Sequence, residues 1–429
     1  MLAWRRVSES IAIVGAGIGG LAAALSLHQV GFRVRVFESA PAIQSLGVGI
    51  NLLPHAVREL DELGLRAELE RAGVCCAELG YYTKRGERIW SEPRGLAAGY
   101  RWPQISIHRG TLQRALLEAA QHRLGPDGVV LGHHLERFEP RAEGVRAHFV
   151  DRETGGTRAA VDARVLIAAD GIHSAARRQL YADEGAPRWN GAILWRGIAR
   201  AGPLFDGRTM IMAGHTRQKF VCYPIQNRVE AAQQPLNFVA ELRGDETELR
   251  ERQDWSLRGR LEDFLPAFAS WRFSWLDVPA LIRAASETWV YPMVDRDPLP
   301  RWSFGPVTLL GDAAHPMYPI GSNGASQAIL DARVLAGCLR HHAHDLERGL
   351  ERYAELRAPA TAAIVLANRG QGPEAVMQLV EDRAPDGFAR LRDVIADDEL
   401  RAVAERYKRL AGFSVAELNA RPSLIESSA

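Results

Sequence analysis

Residues 11–14, Ile-Ala-Ile-Val, run straight into Gly15-Ala16-Gly17-Ile18-Gly19-Gly20, and the next apolar run, Arg33 to Phe37, stops on an acid, Glu38. This spacing predicts a strand, a Gly-rich turn, a helix from about Gly19 to Val30 and a second strand, which together form a complete βαβ unit. Bare backbone at Gly15, Gly17 and Gly20 permits a tight turn, the approach of a pyrophosphate to amide groups, and close helix-strand packing. The helix N-terminus adds partial positive charge toward that phosphate. Glu38, 23 residues after Gly15, can accept both hydroxyl hydrogen bonds of an adenosine ribose and would repel a 2'-phosphate, so FAD or NAD is preferred to NADP. The alternative is a Gly-rich turn used for packing alone. The apolar stretch Ile11 to Val30 behind Arg5 and Arg6 imitates a signal peptide or a membrane span, but its Gly spacing, Ser26, His28, Gln29 and the following strand favour a buried β-α unit.

A second loop of this type lies about three hundred residues downstream. The apolar run Val307 to Leu310 leads into Gly311-Asp312-Ala313-Ala314-His315-Pro316, and the loop continues through Pro319 to Gly324 before a helical stretch, Ala325 to Leu339. An acid after a strand and a glycine is a natural acceptor for the hydroxyls of a ribityl chain, which nicotinamide cofactors lack. Gly321, Asn323 and Gly324 would let backbone amides approach a flat ring, with the positive end of the helix behind them. A simple Gly-Asp turn with an N-terminal helix cap is the alternative. Two such loops so far apart suggest one long cofactor.

Between them, the Gly-bearing loop Gly47-Val48-Gly49-Ile50-Asn51, in which Gly49 is a further candidate cofactor-binding position, precedes a helix from about Pro54 to Leu63, and another helix spans about Arg109 to Leu124. Short alternating runs from Val129 to Val165, with a Gly155-Gly156 turn, read as an antiparallel hairpin, followed by an apolar strand ending at Asp170-Gly171. Runs at 192–198, 208–214, 219–225 and 236–242 read as strands of a mostly antiparallel, substrate-covering sheet. The expected division is residues 1–188 and 301–369 for the cofactor domain, 189–300 for the inserted sheet domain, and 370–429 for a charged helical extension that packs on the body or forms an oligomer contact.

The mixed charges, 53 basic against 52 acidic residues, offer no polybasic face for nucleic acid or anionic lipid. A small-molecule partner and a monomer or homodimer are expected. Cysteines 75, 76, 222 and 338 form no CxxC pair or framework, which fits a reducing cytoplasm. His133-His134 and His341-His342-Ala343-His344 lack a carboxylate or Cys at supporting spacing, so no metal site is expected.

GAGIGG at 15–20, the Asp170-Gly171 turn in LIAADGIHSAAR, and Gly311-Asp312 in LLGDAAHPMYP together resemble the class A flavoprotein aromatic monooxygenases, the salicylate and para-hydroxybenzoate hydroxylase family. Within it, LGVGINLLPHAV, SEPRG, SIHRG, YPMVDRDPLP and YPIGSNGASQAILDA are most similar to the bacterial phenazine hydroxylases. The resemblance covers roughly 11–370. It implies an α/β fold with a Rossmann-like FAD-binding domain of the glutathione-reductase type, an inserted sheet domain and a C-terminal helical region. It further implies Glu38 on the adenosine ribose, Arg109 at the pyrophosphate, Asp312 on the ribityl chain, and Asp170-Gly171 serving both FAD and a visiting NADH or NADPH. One departure stands out: Ser322 replaces the first glycine of the usual PxxGxG, and Gly321 stands ahead of it.

The implied reaction is hydroxylation of a planar aromatic or heteroaromatic ring by dioxygen through a flavin hydroperoxide. Pro316 and Pro319 would stiffen the loop beside the flavin, and His315 either tunes the flavin or relays a proton, or else orients the loop. Trp195, Arg196 and Tyr223 offer an aromatic wall and a cation for substrate, or are ordinary sheet residues. The alternatives are a dehydrogenase, a reductase or a halogenase on the same fold, although no WxWxIP-like motif is present, or a non-catalytic flavin sensor.

Overall fold

The computed structural model describes residues 10–43, 47–227, 232–244, 257–370, 372–412 and 414–427; Arg5 and Arg6 lie outside this set. The strand Ser10–Val14 is flanked in parallel by Arg33–Phe37 on one side and Val165–Ala168 on the other, and Val307–Leu309 follows beyond Val165–Ala168. Val129–Val130 and Ser303–Phe304 close the two edges of this six-stranded sheet. Four parallel strands thus lie side by side and release their loops at the same edge, where open α/β sheets hold ligands. The helix Ile18–Gln29 is buried on nearly all sides, including Leu21, Ala24 and Leu25. That explains why its sequence looks like a membrane segment: a helix apolar all round belongs in a core. No helix among the described residues is long and apolar enough to cross a membrane.

The hairpin region is a three-stranded antiparallel sheet, His134–Arg141, Gly144–Val150 and Val161–Ala163. The larger second sheet has seven strands, antiparallel except where Thr209–His215 pairs in parallel with Glu78–Tyr82. Glu78–Tyr82 and Arg88–Pro93 come from well ahead of residues 189–300, so the sheet draws on chain from outside its expected span. Side chains alternate across this sheet. One face carries Ile193, Trp195, Phe220, Phe238 and Ala240 into an aromatic core with Phe264 and Phe268. The other face carries Leu79, Tyr81, Met210, Met212, Val221 and Tyr223.

That second face is covered partly by the C-terminal helices Ala375–Arg383 and Asp397–Leu410, through Val376, Met377, Val380 and Leu400. Lys219, buried in the sheet, sits between Glu241 at 2.7 Å and Glu374 of the extension. The extension is therefore an integral wall. A 24-residue helix, Leu346–Arg369, leads into it, and the internal Pro359 hides this helix from sequence pattern.

Candidate active site

The loops after the four parallel strands converge. Gly15 adopts φ 99°, and a Cβ there would lie 2.4 Å from the Ala169 carbonyl oxygen; a Cβ at Gly20 would lie 2.0 Å from that of Gly15. Both positions therefore admit only glycine. Gly17 differs: nothing lies within 4 Å of its Cβ position, and neither is that of Gly171 or Gly324 approached. Gly19 packs toward Leu310 and Ala328, so the helix after the first loop and the helix Gly324–His341 start next to each other. Both helices lack a side-chain cap, which leaves their first amides for a ligand.

Three acids surround this space. Glu38 accepts from Ala16 N at 2.7 Å and from Ala40 N at 2.9 Å, which braces the strand end against the Gly-rich turn. Asp170 accepts from Ala175 N at 2.8 Å, while its Oδ1 is buried without a partner. Asp312 is open to solvent at the head of its loop yet has protein packed closely around it. That enclosure raises its pKa, and the charges of His315 and Arg109 offset the rise only in part. Burial likewise raises Asp170, against the hydrogen bonds of Ser174 and Ala175. An orphaned Asp170 oxygen, an open surface above Gly17 and two uncapped helix starts fit a dinucleotide with a polyol chain.

Arg109, the exposed first residue of the helix Arg109–Leu124, stands near Asp312. Gly49 is different from the sequence expectation. Its N–H donates to Asn237 Oδ1 at 2.7 Å and its carbonyl accepts from Arg196 Nη2 at 2.7 Å, so both backbone groups join the two sheets and neither is left for a cofactor.

His315 is buried, with Nε2 2.5 Å from Asp331 Oδ2 and its ring stacked on Trp302. Asp331 also accepts from Gly311 N and from Arg357 Nε. Burial alone would raise Asp331, but His315 and Arg357 prevail and hold it low. Both His315 ring nitrogens are buried, and Nε2 is committed to Asp331, a contact of the kind the loop-orienting role calls for. Pro316 is buried and Pro319 exposed.

Sequence reading missed Arg177, although it stands in the quoted Asp170-Gly171 segment. Fully buried, it donates to the carbonyls of Ala313 and Ala314 at 2.9 Å each and pairs with Glu184, tying the Asp170 turn to the Asp312 loop. Tyr407 was also missed, and no local signal marks it. Its hydroxyl accepts from Asn323 Nδ2 at 2.9 Å and donates to Asn368 Oδ1 at 2.8 Å, while Asn368 Nδ2 donates to the Tyr318 carbonyl. Gly321 (φ 68°) and Ser322 (φ 58°) are consecutively left-handed, and a Cβ at Gly321 would lie 2.3 Å from Tyr407 Oη. The shifted glycine is thus the place where the extension presses on the loop.

Of the candidate substrate residues, Arg196 and Tyr223 share the sheet face that meets Tyr318 and Ile320 of this loop, where Leu194 and Met293 pack. Trp195 does not. One residue along the strand from Arg196, it points to the opposite face and stacks on Phe264 at 5.2 Å, so it is removed from the candidate site.

The FAD binding domain family model matches residues 8–240 and 280–368, more than half of the chain. The chain belongs to this family. It is 46% identical over 362 residues to the phenazine 1,6-dicarboxylic acid hydroxylase PhzS of Lysobacter antibioticus, covering 84% of this chain and 89% of that one. It is 33% identical to the 6-hydroxynicotinate 3-monooxygenase of Pseudomonas fluorescens, covering 83% and 89%. In fold it is similar to Klebsiella pneumoniae HpxO complexed with FAD and uric acid, at TM-score 0.74 and 24% identity over 94% of this chain and 98% of that one. This family member is an FAD-dependent flavoprotein monooxygenase of the aromatic hydroxylase group, with NAD(P)H and dioxygen as co-substrates. Among the described residues, no group of three or more His, Cys, Asp or Glu could hold a metal ion.

Proposed function

We propose that this flavoprotein monooxygenase hydroxylates a planar, carboxylated, fused heteroaromatic ring of the phenazine carboxylate class. The observation that carries the reading is the sheet face bearing Arg196 and Tyr223, laid against the loop from Tyr318 to Ile320. A flat ring held there would have a cation at hand, since the Arg196 guanidinium already lies 5.8 Å from the Tyr291 ring and has an unpartnered Nε. The phenazine dicarboxylic acid named for the Lysobacter relative supports the same class.

Gly15, Gly17 and Gly20 would receive the pyrophosphate, Glu38 the adenosine ribose, Arg109 the phosphate charge, and Asp312 the ribityl hydroxyls. Asp170-Gly171 would serve the bound cofactor and the visiting nicotinamide. Backbone amides of Gly321, Asn323 and Gly324 would face the ring system, because the Asn323 side chain is committed to Tyr407. Bound FAD supplies the redox chemistry that takes hydride from NAD(P)H and delivers oxygen from dioxygen. The chain's own residues orient the substrate and exclude water: Tyr318 and Ile320 are buried against the sheet, and Pro316 and Pro319 restrict the loop between them. Purified holoenzyme, NADH and phenazine-1-carboxylate under air test the reading by NADH loss and product mass. A product heavier by one oxygen is expected; NADH loss giving only hydrogen peroxide across carboxylated fused rings contradicts it.

A further inference from the structure

A charged cluster with unpartnered polar atoms is built from residues other than those assigned to the cofactor. Beside Gly321 and Ser322, on the sheet face that carries Tyr81, a notch of about 20 Å³ opens between Glu92, Arg94, Gln104 and Lys408. That volume holds about one water, or the tip of a carboxylate, but no ring. Its remaining wall sets apolar Leu53, Leu79 and Met212 beside the hydroxyl-bearing Tyr81, Ser322 and Tyr407.

The notch is electrostatically unbalanced. Arg94 Nη2 donates to Glu92 Oε1, and Lys408 Nζ lies 2.7 Å from Glu92 Oε2, so one buried carboxylate serves two cations. Glu405, the other acid near Lys408, is half exposed and screened by solvent. Four polar atoms also lack a hydrogen-bond partner of good geometry: the donors Arg94 Nε and Tyr81 Oη and the acceptors Gln104 Oε1 and Glu92 Oε2, the last met only by the Lys408 charge. Tyr81 is 1% exposed and Gln104 3% exposed. Buried groups of this kind are normally paired, and leaving them unpaired is costly. Burial pushes the Tyr81 phenol far up, which keeps it a neutral donor. Two donors and a net positive charge in a notch beside the Gly321-Ser322 turn match an anionic oxygen group.

We infer that this notch receives an anionic oxygen group of the substrate, a carboxylate, with Arg94 as its counter-charge and Tyr81 Oη as a second donor. The inference rests on the proposed hydroxylation of a carboxylated ring and assigns the residues that read the carboxylate. Lys408 brings the C-terminal helix into that recognition, since it holds Glu92 and so limits how much of the Arg94 charge Glu92 neutralises.

The test compares kcat/KM of the holoenzyme for phenazine-1-carboxylate and for its carboxamide. Arg94→Gln is expected to lower the carboxylate-to-carboxamide preference about 10- to 100-fold, chiefly through KM, with Arg94→Lys recovering part of it. Tyr81→Phe, which removes one oxygen from a buried ring, lowers the same ratio by a smaller factor and serves if the Arg94 variants fail to fold. Equal loss for both compounds, or an unchanged ratio, overturns the assignment. If wild-type enzyme hydroxylates neither compound, the substrate reading fails by itself. The anion site is then judged by titrating phenazine-1-carboxylate against the flavin absorbance: weaker binding in Arg94→Gln supports it, and equal binding overturns it.

Discussion

The two ends of the cofactor cleft are built differently. At the nucleotide end, Glu38 meets the Ala16 amide across 22 residues, and Gly15 and Gly20 are fixed by backbone carbonyls. At the reaction end, Asn323 is fixed by Tyr407 across 84 residues, side chain to side chain, and the wall behind is held by Lys219 and Glu374 across 155. A site made of backbone depends on local glycine placement. A site made of distant side chains depends on the whole fold, and its geometry can be tuned without touching cofactor affinity.

Four substitutions separate the two ends. Lys219→Met strikes the reaction-end wall and leaves Glu241 and Glu374 buried without their cation, so a loss of roughly 3–5 kcal/mol is expected in urea denaturation. The Glu374 pKa is raised, first by burial and then by Glu241, despite Lys219. A raised carboxylate is stabilising while protonated and loses that contribution as pH rises through its folded-state pKa. The deficit of the variant should therefore shrink at acid pH and grow toward neutrality. Gly20→Ala strikes the nucleotide end, where the new methyl meets the Gly15 carbonyl; a loss of about 3 kcal/mol and failure to retain FAD on desalting are expected. Asp312→Ala should weaken FAD by about 1.5–3 kcal/mol in equilibrium dialysis, since it removes a charged acceptor. Ser322→Gly relieves a left-handed residue and should gain about 1 kcal/mol in thermal melts, with FAD affinity unaltered.

The same contrast explains what was legible in sequence. Gly15, Gly17, Gly20 and Glu38 carry their roles in spacing alone, because strand, turn and helix follow one another along the chain. The Asp312 loop was legible for the same reason. Gly49 was misassigned because a glycine between strands marks close approach without naming the partner, here Asn237 and Arg196. Trp195 was paired with Arg196 although neighbours on a strand face opposite ways, and only the register shows which face meets the flavin loop. The buried partner of His315, Asp331, stands sixteen residues away, and spacing along the chain does not mark it. Tyr407 looks like any aromatic on a charged helix, and only tertiary packing carries it to Gly321.

The central claim is that the C-terminal extension sets the geometry of the flavin loop while the Gly-rich turn, Glu38 and Asp312 set cofactor affinity. Tyr407→Phe tests it most directly, since the hydroxyl contacts to Asn323 and Asn368 are lost and the ring is kept. The measurement is hydroxylated product formed per NADH consumed, with FAD affinity taken on the same preparation. FAD affinity within about threefold of wild type, together with a clear fall in coupling and more hydrogen peroxide, is the expected result. Unchanged coupling, or a fall in coupling fully explained by FAD loss, would contradict it.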